Sequence, residues 1–152
     1  MAAKHDMSLT GAELIAAERQ RQIKKERWTP AHDDEHDDSS LLLAAICYAA
    51  PVRVFVQQEH ATGVAFVDPW PDSWSERWDK RGTYGNGIEA GNGIADPDTY
   101  TPEQRLDLLV KAGALIAAEI DRQKRALGVG AVDGETFSRK TPTGGNGSAD
   151  PA

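Results

Sequence analysis

Apolar positions recur at three- and four-residue steps in three stretches of the chain, and each stretch carries helix-boundary signals. The first follows Thr10-Gly11-Ala12-Glu13, a capping box in which hydroxyl and carboxylate each satisfy an orphan backbone N–H. Leu14, Ile15, Ala17 and Ile23 then line a mostly apolar side. Trp28-Thr29-Pro30 should close this helix, because the residue before a proline is pushed out of the α region. A second helix is expected to begin within or just after His32–Asp38 and to run through Leu41, Leu42, Leu43, Ile46 and Tyr48 to Ala50. It is apolar nearly all round, which predicts the central, most buried helix. The third is the clearest. Thr101-Pro102-Glu103 supplies an N-cap, a proline at the first helical position and an acid for the dipole. Leu106, Leu109, Val110, Gly113, Ile116, Ala117 and Ile120 then repeat down one side until Gly128 stops the helix.

Between the second and third stretches the period changes. Val52 to Val56 alternates as a strand does, Val64 to Val67 is its expected partner, and Gln57 to Gly63 the loop. Trp70, Trp74 and Trp78 are four apart, which on a helix forms a slowly drifting stripe. Core or interface packing is the ordinary use of such a stripe, and base stacking the functional one. Gly85-Asn86-Gly87-Ile88 repeats as Gly91-Asn92-Gly93-Ile94, with no preceding strand and no following Lys-Ser/Thr, so it reads as a duplicated flexible surface loop. The fold expected is mainly α: a small bundle of three principal helices, with a short β or irregular insertion over 52–100. One domain would cover 9–128, between a disordered N-terminus (1–8) and a Gly-, Pro- and Ser-rich disordered tail (129–152).

Composition narrows the partners. A net charge of −7 over 152 residues argues against non-specific nucleic-acid binding, which relies on Lys and Arg neutralising phosphates. The basic group on the first helix (Arg19, Arg21, Lys24, Lys25, Arg27) is interrupted by Glu13, Glu18 and Glu26 and reads as a solvated face. Cys47, the only cysteine, fits a small buried hydrophobe and excludes an intramolecular disulfide. No signal peptide and no run of about twenty apolar residues is present, so no membrane association and a cytoplasmic location are expected.

The candidate chemistry lies in His32-Asp33-Asp34-Glu35-His36-Asp37-Asp38. His32 and His36 are four apart, as are Asp33 and Asp37, and Asp34 and Asp38, so on a helix each pair shares a face and could ligate one ion. Oxygen donors suit Mg²⁺ or Mn²⁺, and the histidines widen the choice. Against this stands helix capping by Asp38, Ser39 or Ser40, with carboxylates favoured by the dipole of the Leu41 helix. So dense a run repels itself unless a metal or the basic face of the first helix neutralises it. On the last helix Asp107 and Lys111 are again four apart. An i,i+4 salt bridge is the simple reading. The functional one has Asp107 facing the acidic run as a further ligand and Lys111 contacting phosphate, which requires the second and last helices to lie side by side.

Gln20-Arg21-Gln22-Ile23, Trp28-Thr29-Pro30-Ala31-His32-Asp33-Asp34, the Ala-rich helix ending Cys47-Tyr48-Ala49, and Asp107 through Arg122 resemble a group of small phage and prophage proteins. The likeness covers residues 13–50 and 66–125. The helical skeleton is also similar to the MazG-like all-α nucleoside triphosphate pyrophosphohydrolases, in which acidic residues on two helices hold Mg²⁺ and a nucleotide is cleaved between its α and β phosphates. That family's paired Glu-x-x-Glu and Glu-x-x-Asp motifs are absent: Glu35 and Asp38 give one Glu-x-x-Asp spacing, and Glu103 and Asp107 are a residue too far apart. His32-Asp33 also suggests the HD-type phosphohydrolases, but these need a further upstream histidine, and His5 lies in the tail expected to be disordered.

What these readings imply is a metal-dependent nucleotide pyrophosphohydrolase-like phage protein of the host cytoplasm. His32, Asp33, Asp34, His36 and Asp38 would hold Mg²⁺ or Mn²⁺, Glu35, Asp107 and Lys111 would serve catalysis, and Trp28 would stack on the base. The alternative is a non-enzymatic accessory protein that binds a host factor or signalling nucleotide through its acidic surface and tryptophans. A homo-oligomer is expected if the small-residue face of the last helix or the tryptophan stripe stays exposed.

Overall fold

A computed structural model describes residues 4–81 and 97–128. The Gly-Asn-Gly repeat at 85–94 and the tail from 129 lie outside the described residues. The described chain is mainly helical with one small antiparallel sheet. Helix α1 covers Gly11–Arg21 and opens with the capping box expected at Thr10 and Glu13. It runs into a π-helical turn over Gln22–Glu26 and ends earlier than expected, at Arg27, whose φ of 60° is left-handed. The N–H of Trp28 then donates back to the carbonyl of Gln22, which satisfies one of the orphan groups at the helix end. Pro30 therefore starts a helix instead of only stopping one. Thr29 caps the five-residue α2, Pro30–Asp34, and the proline occupies the first turn, where its missing N–H costs nothing.

The second stretch is thus two helices, α2 and α3 (Ser40–Ala49), separated by a turn through Glu35–Ser39. Ser39 adopts φ 66°, and Asp38 Oδ1 accepts from the N–H of Ser40 at 3.1 Å, so Asp38 supplies the side-chain cap. Helix α3 buries Leu41, Ala44, Ala45 and Tyr48 but leaves Ile46 47% exposed. The central position instead belongs to α4, Pro102–Ala126, which packs against α1, α2 and α3. Its amphipathic period gives it one face for each neighbour. Thr101 and Gln104 form its capping box, and Gly128, at φ 73°, follows its end as expected. Leu108, Ala112, Leu115 and Ala118 meet Leu41, Ala44, Ala45 and Tyr48 of α3 to make the main core.

The hairpin exists, with its first strand moved along the chain. Strand β1 is Val56–His60 and β2 is Gly63–Val67, so Gln57 to His60 are strand, not loop. Pairing from Val56↔Val67 to His60↔Gly63 leaves only Ala61 and Thr62 as the turn. Gly63 takes φ 144°, which a side chain would resist. The tryptophan segment is not a helix: Trp74 closes a turn onto Pro71, and Glu76–Trp78 is a single 3-10 turn. The rings nevertheless converge, with Trp74 5.7 Å from both Trp70 and Trp78. They pack inward on Trp28 and α3, so the stripe is core and not a free aromatic surface. The structured chain also begins before residue 9, since residues 6–9 form a turn and His5 is half-buried against α4.

Candidate functional site

The acidic run is drawn apart by three different partners. Asp33, 1% exposed, pairs with Arg19 of α1, and the same guanidinium donates to the carbonyl of Trp28 at 3.1 Å. Burial pushes the Asp33 carboxyl up in pKa, while the Arg19 charge and hydrogen bond pull it back. Asp34 turns to α4, where Arg125 holds it at 2.7 Å and also donates to the carbonyl of Pro30. Asp38 caps α3, and Glu35 and Asp37 are exposed. The basic side of α1 thus supplies the neutralising charge for Asp33, and Arg19 is a buried partner instead of part of a solvated face.

The two histidines do meet, with ring centroids 4.8 Å apart. Trp74 Nε1–H points at His36 Nδ1 (3.4 Å), which makes Nδ1 the acceptor and places the neutral ring's proton on Nε2. Like His32 Nδ1, His36 Nε2 is then buried without a hydrogen-bond partner. Burial, then the charge of His32, holds its pKa below the usual imidazole value. Trp28 is stacked parallel to His32 (6.3 Å, 4°) and sits 6.0 Å from Trp74 and 5.9 Å from Trp78, so its faces are engaged inside the molecule. Among the described residues, no three His, Cys, Asp or Glu side chains come together as a ready ligand set.

A second polar group assembles between α1 and α4. Asp107 is fully buried and accepts from Lys111 Nζ at 2.8 Å, the i,i+4 pair expected from spacing. Glu18 Oε1 approaches the same ammonium at 3.9 Å. His5 Nε2 lies 2.9 Å from Asp107 Oδ1. Gln22, 2% exposed, donates to Glu18 Oε1 at 3.2 Å, and its own Oε1 is buried without a hydrogen-bond partner. Arg21 holds the outer side of Glu18 through two hydrogen bonds and reaches Glu26. Its guanidinium is raised in pKa, chiefly by the bond to Glu18.

These residues converge because α1 crosses α4 closely. Gly113 has no side chain, and Ile15 fills the space, with its Cδ1 2.5 Å from where a β-carbon would stand. Glu18 lies one turn after Leu14 on the buried side of α1, and Asp107 and Lys111 one turn apart on α4. The acidic run is tied to the bundle at two places: Asp34 bonds Arg125, about 27 Å from Asp107 along a straight helix, while Asp33 bonds Arg19, the neighbour of Glu18.

Of the residues singled out in the sequence, Asp107 and Lys111 therefore join a common polar site. His32 and His36 join the tryptophan cluster, and Asp33, Asp34 and Asp38 serve as helix–helix ties and a cap. Glu18, Gln22 and His5 were not expected there. The signal available for Glu18 was its position in the apolar frame of α1: it falls on the side of Leu14, where a charge demands a partner. Nothing in the local pattern around His5 pointed to Asp107, 102 residues away. No helix among the described residues is long and apolar enough to cross a membrane. Comparison with protein-family models, with curated proteins and with solved structures gave no match, so the reading of this site rests on its own geometry.

Proposed function

We propose that the protein is a metal-dependent nucleotide phosphohydrolase of all-α type, with its chemistry at Glu18, Asp107 and Lys111 instead of at the acidic run. The observation that supports this reading is the sharing of one buried ammonium by two carboxylates from different helices, with His5 against one of them. Buried ion pairs contribute little net stability, because desolvation offsets their attraction. Clusters of buried titratable groups are instead a recurring mark of functional sites.

The donor set fits a hard cation. Glu18 and Asp107 offer carboxylate oxygens, and Gln22 Oε1 is a buried acceptor with nothing to accept from. Mg²⁺ is commonly held by one or two carboxylates together with the phosphates of a nucleotide, so a preformed three-ligand cage is not required. When bound, such an ion polarises a phosphoryl oxygen and makes a water a better nucleophile. Lys111 neutralises Asp107 and Glu18 in the free protein and would turn toward phosphate when a nucleotide enters. His5 Nε2 holds the position of the Asp107 carboxylate from the other side.

The test is turnover of a panel of nucleoside and deoxynucleoside triphosphates with Mg²⁺ or Mn²⁺, comparing wild type with Glu18→Gln, Asp107→Asn and Lys111→Met. Each variant should lower kcat/KM by at least a hundredfold while circular dichroism shows a retained fold. Wild-type protein without turnover, or a fully active Asp107→Asn, would sink the reading.

A further inference from the structure

Helix α4 keeps an apolar stripe that no described element covers. Leu109, Ile116 and Ile120 are 45%, 42% and 55% exposed, at steps of seven and four residues, so they lie on one side of the helix. The side is open because α1 and α3 pack on the flanks of α4, with Ile15 reaching only as far as Gly113.

The hairpin is rooted next to this stripe. Arg105, one turn before Leu109, donates to the carbonyls of Ala50 and Pro51, which fixes the chain just before β1 against the start of α4. From there the hairpin presents Phe55, Val64 and Phe66 at 52%, 54% and 68% exposure. In the register observed, Glu59 faces Val64 and Gln57 faces Phe66, so these apolar side chains share one face of the ribbon. A two-stranded hairpin alone is marginal in water, and no described helix packs broadly on this one.

From these two uncovered faces we infer that the stripe and the hairpin form the contact between two copies of this chain. A large apolar side chain left half exposed offers about 90 Å². The stripe and the hairpin, with Val52 at its base, together offer about 600 Å², the lower end of what each partner buries in a standard interface. Neither face reaches that area alone. A two-fold axis across α4 lays the arm of each copy over the stripe of the other, so both are covered by one self-complementary contact. The hairpin gains in this way the packing it lacks within its own chain.

Sedimentation velocity of the full chain at about 1 to 100 µM is the experiment. Wild type should sediment as a dimer, and Ile116→Glu and Phe66→Lys should each shift it to monomer while thermal unfolding still shows a folded chain. Both residues are exposed in the single chain, so neither change disturbs its core. A wild type that is monomeric throughout, a larger open assembly, or variants that remain dimeric would each overturn the inference.

Discussion

Arg19 of α1 and Asp33 of α2 form an ion pair sealed from solvent, with side chains 10% and 1% exposed. It ties the acidic run to the first helix and sets the direction in which the chain enters α3. Removing one partner leaves the other charge buried alone. Arg19→Ala should cost about 3–5 kcal/mol in urea unfolding. The double change Arg19→Met/Asp33→Leu should recover most of that loss, short of the about 1–2 kcal/mol lost with the bond to the Trp28 carbonyl. A single variant as stable as wild type would show that the pair is not buried in solution.

The His36–Trp74 contact predicts an acid-sensitive term. With its pKa held below the usual 6.5, His36 takes up protons less readily in the folded chain than in the unfolded one. Stability from this group is therefore full above about pH 6.5 and falls as the pH drops through the window below it. Urea midpoints at pH 7.5, 6.5 and 5.5 should decline in wild type and decline less in His36→Phe. Equal slopes in the two proteins would refute the assignment.

Ser39 sits at φ 66° and ψ 12° on the exposed turn before α3, a conformation that costs a residue with a β-carbon about 1–2 kcal/mol. Ser39→Gly should raise stability by about 0.5–1 kcal/mol once the greater freedom of glycine in the unfolded chain is counted. A loss of stability would mean that the left-handed turn does not persist.

The α1–α4 crossing makes a prediction of opposite signs. In wild type, Gly113→Ala should lower stability by about 1 kcal/mol, because overlap with Ile15 outweighs the helical preference of alanine. With Ile15→Ala already present, the same change should raise stability by about 1 kcal/mol. A double-mutant cycle reads the coupling directly, and additive effects would place Ile15 elsewhere.

Local signals accounted for much of the architecture. Thr10 and Glu13, Thr101 and Pro102, and Gly128 mark helix ends through bonds made within a few residues, so spacing alone located them. The Asp107–Lys111 bond is equally local, one helical turn long. Less legible was the break between α2 and α3, because it rests on a left-handed Ser39, a residue that seldom adopts that conformation. The hairpin register also escaped, since Gln57 to Glu59 are polar and their strand state comes from cross-strand pairing with β2.

By itself, the sequence determined a mainly helical chain, its helix caps, the hairpin's existence and the Asp107–Lys111 pair, all matters of neighbours within a turn or a tight loop. Only the tertiary structure decided which charges meet. Arg19 took Asp33, Arg125 took Asp34, and Glu18 and His5 joined Asp107 and Lys111, because helix crossing angles and the missing side chain at Gly113 set those approaches. A charge pattern records how many partners are needed, and packing chooses among them.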